Sequence, residues 1–204
     1  MFGVARVLTS MGIATAIFAA AFDASAASAS DAFMTTGGVT SQPIGHYELC
    51  KRMPEECSIR SRNVMPEKMT HDFWQLVVSV NSSVNQKVKP LTDKEIYGVE
   101  EYWAYPDKVG DCEDYVLLKR RDLMQAGISP ANLLITVVRK PDGEGHAVLT
   151  VRTDKGDFVL DNLVDGVKNW SETEYTYLKR QATNNTGRWV SIEAPTNILV
   201  GSVH

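Results

Sequence analysis

The segment Gly110-Asp111-Cys112-Glu113-Asp114-Tyr115 places a cysteine at the predicted start of an α-helix. Asp111 is a favourable N-cap residue, the two acidic residues after the cysteine suit the first turn, and Gly127 suits the position after the helix end. We therefore predict a helix over 112–126. Its buried face contains Tyr115, Val116, Leu118, Leu123 and Ala126. Its solvated face is predicted to contain Lys119, Arg120, Arg121 and Asp122.

Three strands are predicted downstream of this helix, over residues 133–138, 146–152 and 158–163. Each run is apolar or alternates apolar with polar residues, and each is bounded by turn residues. Upstream, apolar residues at helical spacing predict a helix over 71–88, which Pro90 ends. Residues 94–103 fit a helix or an extended segment equally well. The order is thus a helix carrying Cys112 followed by an antiparallel meander, an α+β arrangement.

This order brings three reactive residue types together. A cysteine attacks as its thiolate, and a helix N-terminus favours that anion, but the acidic neighbours of Cys112 oppose it, so a cationic partner is needed. His146 opens the second strand, 34 residues later, and Asp161 lies on the third strand, 15 residues after the histidine. An aspartate on the neighbouring strand can orient the imidazole and stabilise its charged form. We predict a Cys112–His146–Asp161 triad, although each residue alone is more often a packed or surface group.

The N-terminus has the pattern of a secretory signal peptide. Arg6 is followed by an apolar run, and Ala24-Ser25-Ala26 is a small-x-small cleavage pattern. An uncleaved anchor is disfavoured because the run is short for a bilayer. We therefore expect residues 1–26 to be a cleaved signal peptide, 27–45 a flexible leader, 46–204 one domain, and the periplasm as the compartment.

Composition and cysteine usage limit which ligands and covalent links the chain is expected to have. The net charge of −4 and 23% charged residues give no basic field for nucleic acid. Cys50 and Cys57 are close enough to form a local disulfide in an oxidising compartment, and Cys112 remains as the odd thiol. The histidines at 46, 71 and 204 show no metal-ligand spacing with these cysteines, so a zinc site is not expected. Glu55-Glu56 is predicted to be solvated.

The segments at residues 110–115, 145–149 (Gly-His-Ala-Val-Leu) and 160–163 (Leu-Asp-Asn-Leu) resemble three motifs of the bacterial transglutaminase-like cysteine peptidases, and 102–106 (Tyr-Trp-Ala-Tyr-Pro) resembles the segment before the cysteine motif. The resemblance covers residues 70–165 and implies a papain/transglutaminase-like fold with the triad above. Members of the LapG type are periplasmic proteases that clip large surface adhesins.

The resemblance also implies a calcium site at Asp111 and Glu113, with Asp114 as a further ligand. Calcium prefers several hard oxygen ligands, and N-capping explains the same residues without a metal. It further suggests that the Cys112 backbone N–H serves an oxyanion hole and that Trp103 lines the substrate groove. The expected partners are a protein substrate, such as an adhesin, and an inner-membrane regulatory receptor. The loop at 106–110 and the turn before His146 are shorter than in adhesin-clipping members, which puts the adhesin substrate in question.

Two alternatives to peptide hydrolysis stay open at the level of the sequence. Amide transfer uses the same acyl-enzyme and replaces the attacking water with an amine, so the triad does not separate the two reactions. A non-catalytic periplasmic binding module would keep the fold and lose the chemistry, but such a module has no reason to retain all three triad residues.

Overall fold

The computed structural model describes residues 32–193, and the expected signal peptide lies outside the described residues. The helices are α1 Ile44–Arg52, α2 Pro54–Cys57, α3 His71–Lys87, α4 Asp93–Tyr97 and α5 Cys112–Gln125. The strands are β1 Thr36–Thr40, β2 Lys89–Pro90, β3 Val109–Gly110, β4 Leu133–Arg139, β5 Gly145–Thr153, β6 Gly156–Leu160, β7 Lys168–Asn169, β8 Thr176–Ala182 and β9 Asn185–Ile192. No helix among these is long and apolar enough to cross a bilayer.

Seven strands form one antiparallel sheet in the order β1-β9-β8-β4-β5-β6-β7. Helix α5 packs on strands β4 and β5 at the centre of this sheet, and α3 packs on α5. Apolar side chains from α5 and the central strands form the main core together with Leu49, Trp103 and Trp189. The predicted α+β class, with the cysteine-bearing helix on an antiparallel sheet, is confirmed.

The predicted meander β4-β5-β6 is present, but its third strand ends earlier than expected. Strand β6 stops at Leu160, and Asp161 follows it instead of lying within it. The chain turns there because the backbone N–H of Leu163 donates to Asp161 Oδ1 at 3.0 Å. The aspartate therefore stands at the end of the β-ladder, where its side chain is not constrained to one face of the sheet.

The expected flexible leader is wrong for residues 36–40, which form strand β1 and pair with β9. Just before β1, the backbone N–H of Met34 donates to the buried Asp157 Oδ2 at 2.9 Å. Strands β8 and β9 form a hairpin that was not predicted from the sequence. This hairpin lies between β1 and β4, so the leader segment and the C-terminal part of the described chain complete the sheet together.

Helix boundaries agree closely with the expected ones. Helix α3 begins at His71, where the Thr70 side chain accepts from the Phe73 N–H at 3.1 Å, and it ends one residue before the predicted Val88. Helix α5 ends at Gln125, and Gly127 has φ +94°, the left-handed conformation that favours glycine after a helix.

The predicted solvated face of α5 is wrong for Lys119 and Arg120, because the helix is covered on both sides, whereas Arg121 and Asp122 are partly exposed. Lys119 and Arg120 are 0% and 1% exposed. The Arg120 guanidinium forms an ion pair with Glu56 at 3.1 Å and donates to the Leu133 carbonyl at 3.2 Å. Glu56 was also expected to be solvated, but this ion pair holds it against helix α5 and its side chain is only 18% exposed. Burial lowers the pKa of Lys119 to about 7, and nearby carboxylates, first Asp161, oppose this shift.

The predicted Cys50–Cys57 disulfide is present. Its sulfurs lie beside buried His46, with Cys50 Sγ 3.6 Å from Nδ1 and Cys57 Sγ 3.8 Å from Nε2. These three residues have metal-ligand proximity that their spacing did not suggest. The two sulfurs are bonded to each other and approach different ring nitrogens, so the cluster functions as packed core instead of a metal centre.

Candidate active site

Cys112 begins helix α5 and is the free cysteine of the described chain. Its Sγ donates to Glu113 Oε2 at 3.0 Å, and no hydrogen bond joins it to His146 within the described residues. Burial raises the pKa of the Cys112 thiol well above its ordinary value. The Glu113 carboxylate adds to this rise, whereas the backbone N–H of Ala147, the residue after His146, lowers it. The thiol is thus adjacent to the histidine strand but is protonated in this arrangement.

His146 and Asp161 form a buried pair. Nε2 of His146 lies 2.9 Å from Asp161 Oδ1, and the two side chains are 3% and 4% exposed. Burial alone would raise the pKa of Asp161, but hydrogen bonds from His146, the Leu163 N–H and Tyr175 outweigh it and hold the pKa below its ordinary value. Asp161 is therefore ionised at neutral pH, and it fixes the imidazole with Nε2 protonated and Nδ1 available for a proton.

A cluster of carboxylates lies next to the thiol. Oxygen atoms of Asp93, Asp111 and Glu113 lie within 4.8 Å of one another. Burial raises the pKa of both Asp111 and Glu113, and repulsion from neighbouring carboxylates raises it further. The parallel pairing of β2 with β3 brings Asp93 to Asp111, whose Oδ2 accepts from the Asp93 N–H at 3.3 Å. Because Asp111 turns towards this cluster, its side chain does not cap α5.

Comparison with known proteins identifies the family. The family model of the bacterial transglutaminase-like cysteine proteinases matches residues 36–197. The chain belongs to this family. Among solved structures, it is similar to calcium-bound LapG of Legionella pneumophila, with 24% identity, a TM-score of 0.51, and coverage of 64% of this chain and 76% of that one. A second LapG structure from the same organism gives 26% identity, a TM-score of 0.50, and coverage of 61% and 69%. No curated protein matches the chain.

The match confirms both the family resemblance and the transglutaminase-like fold of this cysteine proteinase. The matched region includes β1, which agrees with the pairing of residues 36–40 in the sheet.

Two further predicted site residues have identified contacts. Asp114 Oδ1 accepts from the backbone N–H of Ala104 at 2.8 Å and so holds the segment before the cysteine motif, while its Oδ2 is buried without a hydrogen-bond partner among the described residues. Its role as a calcium ligand stays a prediction. Trp103 does not line a groove. Its side chain is 2% exposed, lies 5.4 Å from the His46 ring, and donates from Nε1 to Glu101 at 2.7 Å.

Three residues of the site were not predicted from the sequence. Asp93 could have been found from the capping-box pattern Thr92-x-x-Glu95, which marks a helix start, but its partner Asp111 is 18 residues away and only the fold joins them. Asn85 donates to the Asp161 carbonyl at 2.9 Å, and Tyr175 donates to Asp161 Oδ2 at 2.6 Å. No local pattern distinguishes these last two from ordinary helix and strand residues.

Proposed function

We propose that this proteinase is a periplasmic cysteine endopeptidase that cleaves a peptide bond of an exported or surface protein through Cys112, His146 and Asp161. The observation that carries the proposal is the buried His146–Asp161 hydrogen bond of 2.9 Å, formed on the strand next to the thiol at the start of α5. A histidine oriented by a buried carboxylate is the base that a cysteine nucleophile needs.

In the proposed mechanism, His146 Nδ1 takes the thiol proton and Cys112 Sγ attacks the peptide carbonyl carbon. The C–N bond then breaks, the imidazolium gives its proton to the leaving amine, and a thioester remains on Cys112. Water, deprotonated by His146, attacks this acyl-enzyme and releases the carboxylate product. The Cys112 backbone N–H, in the first turn of α5, supports the oxyanion because N–H groups in a helix's first turn have no intrahelical partner.

We further propose calcium as the ion for the cluster of Asp93, Asp111 and Glu113. The residues fit a hard cation, because they supply carboxylate oxygens from three side chains, and Asp93 Oδ1 and Asp111 Oδ1 are buried without a hydrogen-bond partner in the described structure. Calcium supplies positive charge beside Cys112 and offsets the carboxylate field that disfavours the thiolate. As a ligand of that ion, Glu113 would no longer accept from the thiol, and Sγ would be available to His146.

The compartment and substrate are also proposals. Export is supported by the N-terminal pattern over residues 1–26, and the Cys50–Cys57 disulfide suits an oxidising compartment. A surface adhesin is the substrate that we propose, with an inner-membrane receptor as regulator. Both rest on the resemblance of the sequence motifs to the LapG type.

A comparison of protein N-termini tests this function. Surface and periplasmic proteins are incubated with the wild-type enzyme or with Cys112→Ala, in calcium and in chelator. New N-termini that require Cys112 establish the endopeptidase and identify its substrate, and their loss in chelator supports the metal cluster. Failure to find new termini, while Cys112 reacts rapidly with iodoacetamide, would contradict hydrolysis of these proteins and favour amide transfer.

A further inference from the structure

The two oxygens of the Asp161 carboxylate are held from different parts of the chain. Oδ1 accepts from His146 Nε2 at 2.9 Å and from the Leu163 N–H at 3.0 Å. Oδ2 accepts from the Tyr175 hydroxyl at 2.6 Å, a length typical of an O–H donor bonded to an ionised carboxylate. Tyr175 lies just before β8, in a segment that contributes nothing else to the predicted triad.

From this contact we infer that Tyr175 is a positioning residue of the triad, which fixes the Asp161 carboxylate and thereby the imidazole of His146. The inference rests on the proposed function for its catalytic meaning. Hydrogen bonds to Oδ1 alone leave the carboxylate free to pivot about that atom. A second bond at Oδ2 removes this freedom, so the plane of the carboxylate is set before substrate binds.

The ring of Tyr175 contacts the histidine as well. Its centroid lies 5.6 Å from that of His146, with 59° between the ring planes. One side chain thus bonds to the carboxylate and packs on the imidazole, which limits rotation of both partners. Offset and tilted aromatic pairs at such distances are favourable.

Tyr175 also occupies a hydrogen-bonding site of Asp161 that water could otherwise take. Tyr175 and Asp161 both line a cavity of about 320 Å³ that further includes Lys168 and Glu172. The cavity has a polar wall, so water can occupy it. The Tyr175 hydroxyl donates to Asp161 Oδ2, which would otherwise accept a hydrogen bond from water in this cavity. A side-chain donor held in place by the fold orients the carboxylate more strictly than a water molecule that exchanges with solvent.

The test compares Tyr175→Phe with the matched control Tyr177→Phe. Tyr177 lies two residues away, and its hydroxyl pairs with Thr173 Oγ1 at 2.9 Å instead of Asp161. The first measurement is the rate of Cys112 alkylation by iodoacetamide between pH 4 and 9 in the full-length mature protein with its disulfide intact. Cys112 is the one cysteine of the three outside the disulfide, so the rate reports on this thiol.

We expect Tyr175→Phe to raise the pKa of Asp161, because the carboxylate loses a hydrogen-bond donor, and thereby to shift the acidic limb of the alkylation profile by about one pH unit, because the charge beside His146 changes in that range. Tyr177→Phe leaves the limb in place. For a peptide that the wild type cleaves, kcat falls about 10- to 100-fold in Tyr175→Phe while KM stays within about twofold. Thermal unfolding of both variants checks that each is folded.

Different outcomes would contradict the positioning role of Tyr175 and the proposed endopeptidase function. If wild type and Tyr175→Phe give superimposable alkylation profiles, or if Tyr177→Phe moves the limb equally, Tyr175 has no positioning role. If the limb moves only in Tyr175→Phe but no peptide is cleaved by the wild type, the positioning role stands and the endopeptidase proposal fails. A carboxyl ¹³C titration of Asp161 provides a second, substrate-independent reading, in which an unchanged pKa in Tyr175→Phe overturns the inference.

Discussion

Asn85, on helix α3, donates through Nδ2 to the backbone carbonyl of Asp161 at 2.9 Å. One turn earlier on the same helix, Asn81 donates in the same way to the carbonyl of Asp165 at 3.0 Å. The two amides hold the loop that follows β6, so the position of the proposed catalytic carboxylate depends on a helix that contributes no side chain to the proposed triad.

We expect Asn85→Ala to lower the free energy of unfolding by about 1 kcal/mol, because a partly buried carbonyl loses its donor. It should also lower kcat several-fold, since Asn81 is then the one α3 side chain that holds the loop carrying Asp161. Urea unfolding and cleavage rates measure both effects. Gln86→Ala is the matched control, because Gln86 is exposed and bonds only to Ser82 on its own helix. Equal effects from the two substitutions would contradict the role of Asn85.

Calcium should raise the melting temperature of the wild-type protein. An ion that binds the folded state at 100 times its Kd stabilises it by about 2.7 kcal/mol, which corresponds to about 5–10 °C for a domain of this size. Asp93→Asn should abolish the rise, because it removes one charged oxygen from the cluster with Asp111 and Glu113. Asp107→Asn, on the exposed loop nearby, should retain it. A full calcium effect in Asp93→Asn would place the ion elsewhere.

Without calcium, stability should fall as pH rises from about 4 through neutrality. Burial raises the pKa of Asp114 to about 7, and the pKa values of Asp111 and Glu113 are also raised. Between these pKa values the folded state therefore binds protons that the unfolded state has released. The stabilisation from these bound protons is fully present below the pKa of the unfolded state, and it is lost as the pH rises through the pKa of the folded state. Melting temperatures in chelator measure the slope. A slope of opposite sign, or one that Asp114→Asn does not reduce, would contradict these shifts.

Removal of the disulfide should affect stability and spare catalysis. The bridge closes a short loop between Cys50 and Cys57, and loop-closure entropy predicts a loss of about 2.5 kcal/mol for the double serine variant. The bridge packs on His46 in the core and is not in contact with the triad. Chemical unfolding combined with iodoacetamide reactivity of Cys112 separates the effects, and a thiol that becomes unreactive in the folded variant would show coupling to the site.

Glu56→Gln should destabilise the protein by about 3 kcal/mol, because it leaves the buried Arg120 guanidinium without its counter-charge. This is the low end of the range for a buried pair, since Glu56 itself is 18% exposed. Glu56 also accepts from the Tyr105 hydroxyl at 2.6 Å, so its loss loosens the segment before the cysteine motif. Glu55→Gln is the control, since Glu55 is exposed and adjacent in sequence. Comparable free energies of unfolding for the two variants would show that the ion pair contributes little.

The parts of the fold that are local in sequence could be predicted. The cysteine helix, the β4-β5-β6 meander and the disulfide all follow from spacing over a few tens of residues. Pairing of β1 with β9 could not be predicted, because it joins segments about 150 residues apart and neither strand has a distinctive pattern. Burial of Lys119 and Arg120 was missed for a related reason, since charged residues normally face solvent and their burial depends on neighbours far along the chain.

The candidate site also contains some residues that the sequence predicts and others that only the fold brings together. Cys112, His146 and Asp161 are recognisable by residue type and order, whereas the residues that orient them are ordinary until the fold brings them close. Asp93 reaches the carboxylate cluster through the two-residue pairing of β2 with β3, and Tyr175 reaches Asp161 from the loop before β8. Side-chain orientation of this kind is decided by tertiary packing.

Strand β1 has a practical consequence for preparing the enzyme. It forms one end of the seven-stranded sheet and covers the outer hydrogen-bonding groups of β9. A truncation that starts after Thr40 would leave β9 as a bare edge, ready to pair with another molecule. Recombinant forms should therefore begin no later than Ala32, and shorter ones are expected to aggregate even though every residue of the triad is retained.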